Sequence, residues 1–322
     1  MNLSQIRQEA IQRLKGDKSN FSKLILVHTA ITAGISVLLG LVSYASQYIA
    51  TEGGLGNMGT QTLLATAQTL LQLLSSLALT FWNASLIFCS LEYLHKQPTT
   101  TPMLAEGFRR WGAIGSSLLV RGFIYFAVAM GSSLLSSVFV SMLPLPPALL
   151  DELTAFLESP SLPLSDTVQL FYMLFLALFI TVFLIMLIPK LYLHRLVCYR
   201  IMDKDSCGGL QAVLHSRLLM KGKRCKLFLL DLSFWWFYLL EIGISFLSLG
   251  TIFLEQFQIT LPINAQIASF AFSVVSMLLR MILYYYAKPR MMVTYAVFYE
   301  YLAAESQQEP SPPKPMKMPW KY

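Results

Sequence analysis

Charge is what this chain has least of. Lys, Arg, Asp and Glu make up 13% of its 322 residues, where a soluble domain carries about 25%. The deficit excludes an ordinary water-facing surface. With 55% hydrophobic residues and a mean hydropathy of +0.57, it implies a polytopic membrane protein whose length counts spans rather than globular domains. Cysteine is scarce too: Cys89, Cys198, Cys207 and Cys225 all fall at or near segments read as cytoplasmic. Thiols stay reduced there, so no disulfide framework is expected. CxxC and HxxxH spacings are missing, which argues against a metal site despite the nearness of His194 and His215. GxSxG, HExxH, a phosphate-binding glycine loop and a paired acidic motif are missing as well. Asp203 and Asp205 sit in a turn, where capping explains them. Without a nucleophile, an acid–base pair or a metal, neither an enzyme nor a cofactor is expected, and nothing points to nucleic acid. No short apolar run precedes a small-residue cleavage site, so the first span is read as an uncleaved anchor.

What is present is a series of apolar runs of about 20 residues, each long enough to cross a bilayer as a helix. They predict an all-α membrane bundle of six spans, near 24–44, 70–94, 113–140, 168–188, 227–250 and 267–286, within a membrane domain covering 1–302. Short amphipathic cytoplasmic helices are expected before spans one, three and five. The first covers 2–16, where Leu3, Ile6, Ala10 and Leu14 recur at helical spacing. Such a face can lie on the inner leaflet or pack on the protein itself. Thr101-Pro102 suits the start of the second, with proline at the first helical position. Gly115, Ser116, Ser117, Gly131, Ser132 and Ser133 give the third span a small-residue face that permits close helix contact. Proline is absent from every span interior, so no discontinuous helix is expected. Pro189 and Lys190 close the fourth span, whose helix can run on through Tyr192, Arg195 and Tyr199 into the cytoplasm, and Lys288-Pro289-Arg290 returns the chain to the cytoplasm after the sixth. Residues 303–322 are too proline-rich to fold alone.

The cations set the orientation. Of the 24 Lys and Arg residues, all but Arg121 and Arg280 fall in segments assigned to the cytoplasm, and the three outer loops hold none. The positive-inside rule then places both termini in the cytoplasm. Just before the fifth span, a helix over 206–221 carries Leu210 and Leu214 on a stripe continued by Arg217 and Lys221. Asp205 or Ser206 can cap it and Gly222 can end it. Arg217, Lys221, Lys223 and Arg224 form a basic cluster suited to anionic lipid headgroups or an acidic membrane or cytoplasmic protein partner.

The run Ser216-Arg217-Leu218-Leu219-Met220-Lys221-Gly222, followed by Leu227-Phe228-Leu229-Leu230-Asp231-Leu232-Ser233-Phe234, resembles the hallmark of an uncharacterised bacterial integral membrane family, domain of unknown function nine-seven-five. The resemblance is strongest from Asp203 to Trp235. It returns at Pro289…Thr294…Phe298-Tyr299…Leu302 and at Arg13-Leu14-Lys15-Gly16. A glycine-tryptophan pair often follows the Ser-Phe in that family, whereas this chain has Trp235-Trp236-Phe237. The resemblance implies a multi-pass protein of the bacterial plasma membrane and carries no established activity.

Ionisable residues inside spans are costly and by default suggest function. Arg121, Asp231, Glu241 and Arg280 qualify. At 1.5 Å per residue, Asp231 stands ~8 Å above Lys226 and Arg280 ~12 Å above Lys288. An Asp231–Arg280 ion pair is therefore expected, with Arg121 close by. Glu241, ~22 Å above Lys226, is expected to lie too far to join and to stay neutral or face a wet crevice. The leading expectation is a non-enzymatic scaffold, regulator or envelope-homeostasis protein. The alternative is a small-solute or lipid transporter or channel that uses the intramembrane charges.

Overall fold

The computed structural model describes residues 2–15, 18–52, 58–142, 166–203, 207–248 and 265–308. Among these residues the chain is all-helical. The helices are α1 (Leu3–Leu14), α2 (Lys18–Glu52), α3 (Met58–Leu94), α4 (Glu106–Arg109), α5 (Trp111–Ser141), α6 (Asp166–Leu193), α7 (Val197–Met202), α8 (Gly209–Leu219), α9 (Arg224–Leu232), α10 (Trp235–Ser248) and α11 (Ala265–Gln308). A single 3₁₀ turn, Thr101–Ala105, leads into α4 with Pro102 in its first positions. Among the described residues, four helices are long and apolar enough to cross a membrane, over Asn20–Val42, Thr62–Leu94, Trp111–Phe139 and Met173–Met202. The pair α9 and α10 makes a fifth if counted as one broken span.

Two boundaries differ from the sequence reading. α6 runs past Pro189 to Leu193, in line with the sequence reading, but Pro289 does not end α11, a helix of 44 residues that continues to Gln308. Each proline forgoes one backbone bond, a loss that a packed helix tolerates. Beyond Pro289, every residue from Met292 to Tyr299 is buried, so tertiary packing holds that half of α11 helical. The second difference is a break. The fifth run bends by 58° between α9 and α10, with no proline at the bend. The freed groups are closed locally, as lipid demands. Ser233 N–H reaches the carbonyls of Leu229 and Leu230, and Phe234 N–H donates to Asp231 O at 2.9 Å. Ser233 Oγ donates to Leu230 O at 2.6 Å. The expected caps Asp205 and Ser206, the three outer loop centres and residues 309–322 lie outside the described residues.

The chain forms two compact units. The first comprises Met1–Ile114, Cys198–Cys207 and Cys225–Tyr322. In it α11 is the central element, packed on α2, α10, α1 and α3. Helix α1 starts with a capping box, in which Gln5 Oε1 accepts from Asn2 N–H at 2.8 Å. Its Ile6, Ala10 and Leu14 face is buried, so it packs on protein, with α11 as its main neighbour. Gly107 of α4 sits so close to α3 that a Cβ there would fall 1.9 Å from Phe81 O. Its N–H donates to Ser85 Oγ at 2.9 Å.

The second unit comprises Gly115–Val197 and Gly208–Arg224. Of the small residues expected at close contacts on α5, Ser117 and Ser132 are fully buried and Gly131 faces Met186 of α6, whereas Gly115 meets open space and Ser116 is exposed. Helix α8 is tied to the end of α6 by Ser216 Oγ, which donates to Leu193 O at 2.8 Å. Gly222 follows α8 with a φ of +73°, a left-handed turn that glycine adopts without steric cost.

Candidate functional site

Two polar levels stand along α11 in the first unit. At the lower one, the stretches that carry the family resemblance come together. Tyr299 donates its hydroxyl to Asp203 Oδ2 at 2.7 Å, and Arg200 of α7 donates to the same oxygen at 3.3 Å. Arg110, just after α4, donates to the carbonyls of Ile201 at 2.6 Å and Asp203 at 3.0 Å. Arg13 of α1 and His95 each approach the Glu300 carboxylate, at 3.4 and 3.1 Å. Burial pushes the Tyr299 phenol up, and the Asp203 carboxylate beside it adds to the effect. Burial also raises Glu300, against the pull of His95 and Arg13. A little higher, Tyr295 donates its hydroxyl to Asp231 Oδ1, and Tyr238 of α10 lies 3.4 Å from that hydroxyl. These bonds fasten α1, α7, α9 and α10 to the lower half of α11, and the end of α4 to the end of α7.

The upper level surrounds a cavity of about 730 Å³ lined by α2, α3, α10 and α11. Arg280 Nε of α11 stands 2.9 Å from Glu241 Oε1 of α10, and its Nη2 donates to Ser245 Oγ at 3.2 Å. Tyr284, one turn along, donates its hydroxyl to the same carboxylate oxygen at 3.2 Å. Lys288, another turn along, places its ammonium 4.2 Å from the centre of the Tyr284 ring. Glu241 Oε2 is buried without a hydrogen-bond partner. His28 of α2 and Trp82 of α3 stack at 5.1 Å and exchange bonds: His28 Nε2 donates to Trp82 O at 3.3 Å, and Trp82 Nε1 donates to His28 O at 3.4 Å. The polar wall thus holds His28, Asn83, Glu241, Arg280 and Lys288, while Val37, Leu41 and Val274 line the far end.

This geometry corrects the expected Asp231–Arg280 pair. Arg280 meets Glu241, and Asp231 accepts from Tyr295, fifteen residues or ~22 Å further along α11. Heights counted from Lys226 and Lys288 assumed that both helices begin at those cations and run straight. Instead α11 continues well past Lys288, and α10 lies beyond the bend. Glu241 therefore joins the pairing and is neither isolated nor merely facing water. Arg121 belongs to the second unit, where it donates to Ser117 O at 3.3 Å and Ser117 Oγ at 3.4 Å on its own helix.

The basic cluster also lies in the second unit. Arg217, Lys221 and Arg224 are exposed and Lys223 is half-buried. The solvent side of α8 carries Leu210, Leu214 and Leu218, the last 69% exposed, so its outward face joins leucines to cations. Sequence reasoning missed His28, Tyr284 and Lys288. The four-residue spacing of Arg280, Tyr284 and Lys288, which puts them on one helix face, could have found the last two.

No curated protein and no solved structure matches the chain. A family model described as protein of unknown function, DUF975, matches residues 1–306, which take in every described helix except the last two residues of α11. The residues that carry the sequence resemblance include those that fasten the lower half of α11, and the chain belongs to the DUF975 family.

Proposed function

We propose that this is a six-span protein of the bacterial plasma membrane, with both termini in the cytoplasm, that binds an amphipathic solute with an anionic head in the cavity of its first unit. Distribution of Lys and Arg supports the orientation, because cytoplasmic loops carry the excess of cations. α11 supplies the sixth span. The basic face of α8 meets anionic headgroups at the cytoplasmic surface. Reporter fusions at positions 54, 158 and 258 read outside under this topology; an inside reading at 158 removes it.

One observation carries the ligand reading: ionisable groups line an open volume beside an unpartnered carboxylate oxygen. Charges inside a bundle are costly unless paired or used. Arg280 and Lys288 outnumber Glu241 by one charge, so the cavity favours a single anion, and the Val37, Leu41 and Val274 end favours an apolar tail. The reading is binding or transport rather than catalysis. A dansyl-labelled fatty acid added to the purified full-length protein tests it. Saturable fluorescence that Lys288→Gln weakens and Thr32→Trp abolishes supports the proposal; no saturable signal, or one indifferent to both changes, refutes it.

A scaffold reading keeps one observation in its favour, the direct Glu241–Arg280 contact. On that reading the charges only hold α10 to α11, and joint neutral replacement leaves the protein fully functional in a deletion strain.

A further inference from the structure

The second unit contains a convergence of cations that the cavity does not explain. Three helices meet around His194, at the end of α6. Tyr125 of α5 approaches the His194 ring at 5.8 Å, which brings Arg121, one turn earlier on α5, to the same side. Lys190 is one turn before His194 on α6, and the His194 N–H donates to the Lys190 carbonyl at 3.2 Å. The Ser216 bond to Leu193 O fixes α8 beside this point and delivers the next residue, Arg217. Arg121, Arg217 and Lys190 all act electrostatically on the His194 ring.

Nothing in these helices offsets the charge. The only acidic residue on α5, α6 or α8 is Asp166, at the other end of α6 and ~36 Å from Lys190. His194 is 2% exposed, and neither of its ring nitrogens has a hydrogen-bond partner. A neutral imidazole always carries one N–H, so at least one buried donor stands here without an acceptor. Three cations and a buried donor, assembled from three helices, form a site for an anion.

We infer that this cluster binds the phosphate of one anionic phospholipid, held by Arg121, Lys190 and Arg217 with His194 beneath. The place in the fold selects a lipid over a soluble anion. α5 presents Leu119 and Phe123, at 68% and 75% exposure, on either side of Arg121, and α6 presents Ile185 and Ile188 just before Lys190. Acyl chains can run along both while the headgroup meets the cations, the arrangement that snorkelling side chains favour. The site is distinct from diffuse attraction to the α8 face, because Arg121 and Lys190 lie outside that basic cluster, and it does not depend on the cavity of the first unit.

Native mass spectrometry of the purified full-length protein, titrated with phosphatidylglycerol or phosphatidylcholine, tests this. The expected result is one tightly retained phosphatidylglycerol. Lys190→Gln and Arg217→Gln should each weaken it about fivefold, the change that one cation near anionic lipid confers. Arg217 is exposed, so that variant keeps the fold, and Arg121→Lys, which preserves the charge, should retain binding. Arg224→Gln is the control for diffuse surface charge and should leave binding unchanged. Equal retention of phosphatidylcholine overturns the inference. So does an equal loss in Arg224→Gln, unchanged binding in both glutamine variants, or displacement of the lipid by millimolar inorganic phosphate.

Discussion

Replacing Glu241 with Gln removes a charge from between three groups and leaves most of their geometry in place. The carboxylate faces Arg280 at 2.9 Å and accepts from Tyr284 at 3.2 Å. The two charged side chains are 25% and 37% exposed, so neither the fully buried nor the surface limit applies. Breaking a buried pair costs about 3–5 kcal/mol, while exposed pairs contribute about 0.2–1 kcal/mol. A partly screened pair falls between, and a coupling of about 1–2 kcal/mol between Glu241→Gln and Arg280→Gln is expected. The assay is a double-mutant cycle in mixed micelles, with unfolding by SDS followed through tryptophan fluorescence. Each single variant should unfold earlier than the wild type, and the double variant should lose less than the sum of the two. Strict additivity, with no coupling beyond about 0.3 kcal/mol, would refute the pairing.

Three further outcomes follow from named contacts. Gly107→Ala puts a Cβ 1.9 Å from Phe81 O and 2.6 Å from Ser85 Oγ; it should cost about 1–3 kcal/mol by overpacking, read as a lower unfolding midpoint, and an unchanged midpoint would show that α4 stands off α3. Tyr299→Phe removes the bond to Asp203 and leaves a half-buried carboxylate short of a donor, which should cost about 1–3 kcal/mol; Asp203→Asn in the same background should add little. A lone cysteine at position 218 in an otherwise Cys-free protein should be shielded from a water-soluble maleimide in membranes and react freely in detergent-free urea, whereas full reactivity in membranes would leave α8 a solvated helix.

Four spans, and a fifth if α9 and α10 count as one, were readable because their apolar runs exceed the length that a bilayer requires. Much of the site was not. The break between α9 and α10 carries no proline; Ser233 and Phe234 close it through their own backbone bonds, and no periodicity announces such a bend. Lys288 and Pro289 look like an exit from the membrane, yet the buried Met292–Tyr299 segment keeps α11 helical beyond them. Partner choice depended on both features, so correct residues, Asp231, Glu241 and Arg280, were assigned incorrect partners. The convergence on His194 was hidden for a different reason. Arg121, Lys190 and Arg217 are separated by 69 and 27 positions in the sequence, and only the packing of α5, α6 and α8 brings them to one ring.

Two polar levels separated by ~22 Å along one helix should behave as independent sites. The lower level is closed: Asp231 takes the Tyr295 hydroxyl, with Tyr238 beside it. The upper level opens on the cavity, where a bound anion can compete with Glu241 for Arg280 without disturbing the bonds below. Mutations more than about 7–10 Å apart with no shared partner add within about 0.3–0.5 kcal/mol. Asp231→Asn and Arg280→Gln should therefore destabilise the protein additively in the same SDS assay. The original expectation of a direct pair makes the opposite statement, that the second change restores what the first removes. Rescue of Asp231→Asn by Arg280→Gln would mean that α9 and α10 form one straight span in the membrane, and would return Arg280 to Asp231.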